Sequence, residues 1–279
     1  MGKRQINRWK GKYIKMNRIE ARLEQLKKEG KKAFITYMTA GLPDYNKTKE
    51  IIKASEEGGV DVIELGIPFS DPVADGPVIQ DASYKAILNG ATLEKTFEMM
   101  QEIRDENINV PILYMMYYNH VYHYGVEAFV KRCIECGVDG LIIPDLPFEE
   151  QKELKDELCK YKESPILIQL VAPVSNNRIP KILKGARGFV YCVSQMGVTG
   201  NGATFHKMIK EYLTQVKSVS EIPVMMGFGI RTAQDVKPVK DIIDGAIVGS
   251  HFIKLLEESD YDVNVAKNYI SEFKKELNL

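Results

Sequence analysis

Short apolar runs alternate with longer stretches of helical periodicity along almost the whole chain. The runs are Ala33 to Thr39, Val62 to Leu65, Val110 to Met115, Gly140 to Ile143, Pro165 to Leu170, Gly188 to Val193, Pro223 to Met226 and Gly245 to Val248. They are apolar nearly throughout instead of alternating in and out, which predicts strands buried on both faces. Between them, helix starts are marked by Asp44 before Tyr45 to Glu57, Thr92 before Leu93 to Glu106 and Thr232 before Ala233 to Lys240, each able to cap free backbone N–H groups. Strands alternating with helices predict an α/β fold with a parallel sheet. Eight such units are the number that closes a single (β/α)8 TIM barrel, with an open doubly wound sheet as the competing arrangement.

Two further helices flank the repeats. Asn17-Arg-Ile-Glu20 has the spacing of a capping box and opens a helix running to Gly30, and Tyr261 to Leu277 reads as a final amphipathic helix packed outside the barrel. Residues 1–15 are basic and free of acids, so they read as a leader, flexible or left over from expression, with residues 16–279 as the barrel domain. No linker-like composition divides that domain.

Composition narrows the function classes. The 279 residues are 44% hydrophobic and 27% charged, enough for a sizeable core. Lys plus Arg equals Asp plus Glu at 38 each, so global charge predicts neither nucleic acid nor an anionic membrane as partner. No run approaches the ~20 apolar residues of a membrane span, and the N-terminus lacks a secretory core, which reads as a cytoplasmic protein. The four cysteines do not form paired metal-ligand motifs, and Cys133-Ile-Glu-Cys136 falls on one helix face, where packing of reduced thiols accounts for it.

In a barrel, chemistry belongs at the strand C-termini. Three successive loops there are rich in glycine: Ser194-Gln-Met-Gly-Val-Thr-Gly-Asn-Gly202, Gly227-Phe-Gly-Ile-Arg231 and Gly249-Ser250, the last opening a helix directly. Exposed backbone N–H groups and the positive ends of helices suit a phosphate, although glycine also serves ordinary turns. His251 either touches that anion or packs along its helix.

Opposite these loops stand two carboxylates. Glu64 ends an otherwise apolar strand, where desolvation raises a carboxyl pKa towards neutrality and equips it as general acid and base. Asp75 lies eleven residues later in a loop holding Pro68, Pro72 and Pro77, a more polar setting in which it stays ionised. A structural carboxylate at Glu64, and turn formation by Asp71 and Asp75, are the plain alternatives. Tyr37, Tyr114, Met115, Tyr117, Ile143 and Tyr191 add apolar and aromatic bulk, either as core filling or as walls for a flat apolar ligand with a phosphate tail.

The run Glu64-Leu-Gly-Ile-Pro-Phe-Ser-Asp-Pro-Val-Ala-Asp-Gly-Pro77, with Gly197-Val-Thr-Gly200, Gly227-Phe-Gly229 and Gly249-Ser250 in the same order, resembles the tryptophan synthase alpha chain family from about Met16 onward. The resemblance implies a lyase that cleaves indole-3-glycerol phosphate to indole and glyceraldehyde 3-phosphate without a cofactor in this chain. Glu64 is implied to protonate indole C3 and to accept the glycerol hydroxyl proton, and Asp75 to hold the indole N–H. Tyr191 and Thr199 are implied to contact substrate; Tyr37, Met115, Leu141 and Ile143 to wall the indole; and Gly200, Gly229, Gly249 and Ser250 to seat the phosphate. A pyridoxal-phosphate-dependent beta chain is the implied partner in an alpha-beta-beta-alpha heterotetramer, met by Pro68, Asp71, Asn119 and Asp145.

Three positions depart from the family pattern. Tyr37 stands where phenylalanine is common, Pro144 where small residues are familiar, and Gln195 where a basic residue is frequent. A stand-alone lyase, a phosphate-barrel isomerase and a catalytically silent allosteric partner remain as rival expectations.

Overall fold

The computed structural model describes residues 6–9, 12–193, 203–227 and 229–279. An antiparallel pair, β1 (Ile6–Trp9) and β2 (Lys12–Lys15), lies within the segment read as a leader. The parallel strands are β3 (Ala33–Thr39), β4 (Val62–Gly66), β5 (Ile112–Met115), β6 (Gly140–Ile142), β7 (Ile166–Leu167), β8 (Gln169–Val171), β9 (Val190–Val193), β10 (Val224–Gly227) and β11 (Gly245–Val248).

The expected fifth strand, Pro165 to Leu170, is thus observed as two pieces separated by Ile168. Their pairing closes the ring: β7 bonds to β6 while β8 bonds to β9, and the sheet runs β7-β6-β5-β4-β3-β11-β10-β9-β8. Because β7 and β8 are one continuous segment, the two ends of this order are joined covalently. The closed (β/α)8 barrel, not the open sheet, is the fold.

The helices are α1 (Arg18–Lys28), α2 (Tyr45–Gly58), α3 (Pro77–Leu88), α4 (Leu93–Asp105), α5 (Tyr118–Tyr124), α6 (Val126–Glu135), α7 (Lys152–Leu158), α8 (Ile179–Leu183), α9 (Ala203–Val219), α10 (Ala233–Val236), α11 (Ser250–Glu258) and α12 (Val263–Leu277). Asn17, Asp44 and Thr92 cap α1, α2 and α4 through their side chains, as read from the sequence. The helix expected over Ala233 to Lys240 is α10 followed by a 3-10 turn at Lys237–Val239; Pro238 supplies no N–H for a regular continuation. Cys133 is buried on α6 and Cys136 ends it, both as free thiols.

Alternation along the strands sorts two cores. Residues facing inward, among them Ile35, Val62, Leu113, Ile142, Ile168, Phe189, Met225 and Ile247, fill the barrel, and α1 closes its lower end with Ile19, Leu23 and Leu26. Outward-facing residues pack under the helices in a larger shell. Two buried acids tie the lower rim. Asp61 accepts from the Phe34 N–H at 2.7 Å and pairs with Arg22 and Lys274. Asp139 accepts from the Ile112 N–H at 2.9 Å and pairs with Arg104 at 2.9 Å and Arg18 at 3.0 Å.

Asp139 is 3% exposed, so removing it strands a largely buried guanidinium and a strand N–H. Asp139→Ala is expected to lower the stability by about 3 kcal/mol, read as a lower urea midpoint with unchanged activity per folded molecule. An unchanged midpoint would show that the buried pairs contribute nothing net.

Candidate active site

β4 carries Glu64 on its interior face, next in register to Tyr37 of β3 and Leu113 of β5. Its side chain is 1% exposed, and neither carboxyl oxygen has a hydrogen-bond partner among the described residues. Burial, and secondarily the negative charge of Asp75, push its pKa up to about 8. A group so placed holds a proton at neutral pH and gives it up readily, the requirement for acid–base work in both directions.

Asp75 reaches the same space from the loop between β4 and α3. That loop is held in shape by several bonds. Phe69 N–H donates to Ser83 Oγ at 2.7 Å, Val73 N–H to the Asp71 carbonyl at 2.9 Å, and Gln80 Nε2 to the Asp75 carbonyl at 2.9 Å. Tyr117, just beyond β5, donates its hydroxyl to Asp75 Oδ2 at 2.9 Å and accepts from the Ala74 N–H at 2.9 Å. The Phe69 ring stacks on Tyr117 with centroids 5.0 Å apart. Burial raises the Asp75 pKa, and the Tyr117 hydrogen bond opposes that rise. The sequence marks Tyr117 only as bulk at the mouth; its link to Asp75 is a finding of the structure.

Tyr37 is buried and clusters with Leu42, Ala82, Ala86 and Ile253, with Met115 packed against the same group. Tyr191 is partly buried over the barrel core. Both phenols have their pKa raised by burial and by the Glu64 and Asp75 charges, which brings the four side chains into one electrostatic cluster. Close approach explains two glycines: a Cβ at Gly66 would collide with the Tyr37 hydroxyl, and one at Gly227 would lie 2.6 Å from the Tyr191 hydroxyl.

Leu141 and Ile143, expected as indole walls, lie in the outer shell under the helices, whereas Ile142 between them faces the interior. The structure therefore does not bring that pair to the site. Thr199 and Gly200 lie outside the described residues. Gly229 has φ of 63°, a conformation that strains other residues. Gly249 caps α11 without a side-chain bond, and Ser250 begins the helix, so the first N–H groups remain free for a ligand. A Cβ at Gly249 would lie 3.6 Å from the Tyr37 Cβ, which sets this helix end beside the acidic cluster. His251 packs edge-on against Tyr269, centroids 5.5 Å apart.

Of the expected interface residues, Pro68 is buried while Asp71, Asn119 and Asp145 are exposed. Asp145 accepts from the Tyr118 N–H at 2.9 Å, joining the loop after β6 to the start of α5 beside Asn119. Among the described residues there is no cluster of three or more His, Cys, Asp or Glu able to hold a metal, and no helix long and apolar enough to cross a membrane.

Fold and site together describe an enzyme of the (β/α)8 barrel class, with two neighbouring carboxyl groups, one fully buried, and the N-terminus of a helix at one mouth. The model of the family described as tryptophan synthase alpha chain matches residues 23–278. The chain is 69% identical over 263 residues to the tryptophan synthase alpha chain of Lachnospira eligens, covering 94% of this chain and 100% of that one. It is 46% identical over 242 residues to that of Alkaliphilus metalliredigens, covering 87% and 90%. The tryptophan synthase subunit alpha of Legionella pneumophila superposes with a TM-score of 0.85 at 32% identity, over 94% of this chain and 98% of that one. A tryptophan synthase chain from Mycobacterium tuberculosis gives 0.84 at 31%, over 95% and 100%. The chain belongs to the tryptophan synthase alpha chain family, and is a lyase of tryptophan biosynthesis acting on indole-3-glycerol phosphate.

Proposed function

We propose that Glu64 and Asp75 carry the retro-aldol cleavage of indole-3-glycerol phosphate to indole and glyceraldehyde 3-phosphate. Protonated Glu64 gives its proton to indole C3, while Asp75 accepts a hydrogen bond from the ring N–H and stabilises the cation that forms there. The Glu64 carboxylate then takes the proton of the hydroxyl on the adjacent side-chain carbon. As that hydroxyl becomes the aldehyde, the carbon–carbon bond breaks and its electron pair returns to the ring, restoring indole. Protons and electrons balance within substrate and Glu64, so the step asks for no cofactor in this chain. The observation that carries this reading is a buried Glu64, free of partners among the described residues and with its pKa near 8, beside Asp75 at a strand C-terminus.

Tyr191 is assigned to the glycerol moiety, Tyr37 and Met115 to the indole, Thr199 to the substrate, and Gly200, Gly229, Gly249 and Ser250 to the phosphate; Thr199 and Gly200 lie outside the described residues. The proposed partner is a pyridoxal-phosphate-dependent beta chain, docked on Pro68, Asp71, Asn119 and Asp145 in an alpha-beta-beta-alpha assembly and receiving the indole. Purified protein assayed with indole-glycerol phosphate, alone and with a beta chain, tests both levels. Cleavage stimulated by the beta chain supports the subunit reading, full activity alone favours a stand-alone lyase, and no cleavage in either assay overturns the reaction.

The phosphate seat makes a separate prediction. Ser250→Asp sets a carboxylate at the free end of α11, where it competes with the dianion. KM for indole-glycerol phosphate is expected to rise at least about tenfold, or ~1.4 kcal/mol, with a smaller change in kcat. An unchanged KM removes Ser250 from the phosphate site.

A further inference from the structure

Tyr37 and Glu64 are partners in register on adjacent strands, which lie ~4.8 Å apart with both side chains on the interior face. The Tyr37 ring climbs towards the mouth until its hydroxyl stands against Gly66, two residues beyond Glu64 on the same strand and the same face. Two residues of strand rise about 7 Å. The hydroxyl therefore stands directly up β4 from Glu64, at a height that a glutamate side chain extended towards the mouth largely spans.

The Glu64 cycle proposed above creates a buried anion in each turnover. An ionised carboxylate in such a place is costly unless it accepts hydrogen bonds. Yet neither of its oxygens has a donor among the described residues. Among the described residues, the groups facing it can be enumerated by element. The loop after β4 brings Asp75, which only repels it and is itself held by Tyr117. β5 brings Leu113 and Met115, which are uncharged. β9 brings Tyr191, which feels the Glu64 charge but whose hydroxyl is turned to Gly227 on β10, so that Tyr191→Phe is the control for a competing donor. β3 brings Tyr37.

We propose that the Tyr37 hydroxyl is the hydrogen-bond donor that receives the Glu64 carboxylate when it ionises, making Tyr37 a positioning residue for the proton transfer and not simply a wall of the indole pocket. The inference rests on the assignment of Glu64 as the proton carrier. A donor to the charged form lowers a carboxyl pKa, so losing it raises the pKa and disfavours the ionised intermediate.

Tyr37→Phe deletes one oxygen and keeps the ring among Leu42, Ala82, Ala86 and Ile253. Two measurements test it against the wild type and Tyr191→Phe. In the pH profile of indole-glycerol phosphate cleavage, the basic limb is expected to move up by half a unit or more in Tyr37→Phe, with plateau kcat down three- to tenfold and KM nearly unchanged. In pH-difference infrared spectra of the ligand-free protein, the carboxyl band absent from Glu64→Gln is expected to titrate later by the same amount. An unmoved limb and an unmoved band overturn the proposal, including the case of a uniform fall in kcat, which marks a substrate contact instead. The infrared arm needs no turnover, so a wild-type protein inactive on indole-glycerol phosphate would overturn the reaction while leaving the Tyr37–Glu64 bond separately tested.

Discussion

Glu64→Gln is expected to lower kcat for indole-glycerol phosphate cleavage about a thousandfold while leaving KM within a few fold, the size of effect that loss of a positioned acid–base group produces. The amide keeps the volume of the carboxyl and loses only the proton traffic. Wild-type kcat/KM is expected to fall above pH about 8, because the free enzyme must begin with Glu64 protonated and burial beside Asp75 sets its pKa there. A variant retaining a third or more of wild-type turnover ends the assignment.

The same substitution is expected to stabilise the fold at alkaline pH. Below the ordinary value of 4.5 the carboxyl is protonated in both folded and unfolded chains. Between 4.5 and about 8 the unfolded chain releases the proton while the folded chain retains it, so the unfolded state gains and stability falls as pH rises through that window, levelling off above it. Glutamine has no such loss. Thermal melts at pH 5 and pH 8.5 should therefore show the variant gaining on the wild type at the higher pH. Parallel behaviour at both pH values would show that Glu64 does not carry a raised pKa. Activity and stability pull in opposite directions at this residue, as expected where a site holds a buried ionisable group for chemistry.

The groups that stand out in the sequence are those whose chemistry contradicts their surroundings. Glu64 is an acid at the end of an apolar run, and Gly249 interrupts the passage from strand to helix, so both stand out in one dimension. Leu141 and Ile143 were misplaced because β6 is apolar on both faces. Without alternation between polar and apolar residues a three-residue strand has no readable phase, and the interior face belongs to Ile142. Tyr117 is legible as bulk but not as a partner of Asp75, since 42 residues separate them and only the pairing of β4 with β5 brings the loop after β4 against the end of β5. Closure itself lay beyond periodicity. It depends on β7 and β8 bonding to different neighbours on either side of Ile168.

Asp75→Asn tests the other half of the pair. The side chain keeps its size, and an amide oxygen can still accept from Tyr117, but the site loses the negative charge that opposes the cation forming on the indole ring. Removal of a single preorganised electrostatic contact of this kind typically costs about 10²- to 10³-fold in kcat, and a loss of that order is expected here. Its pH signature has the opposite sign to that of Tyr37→Phe. Asp75 raises the Glu64 pKa by like-charge repulsion, so deleting the charge lowers that pKa and moves the basic limb of the rate profile down. On the proposed mechanism both residues serve one transition state, so Glu64→Gln with Asp75→Asn is expected to be scarcely slower than Glu64→Gln alone. Fully multiplicative losses in the double variant would mean that the two carboxylates act in separate steps. A basic limb that stays in place in Asp75→Asn would mean that Asp75 does not sit close enough to Glu64 for the two to work as a pair.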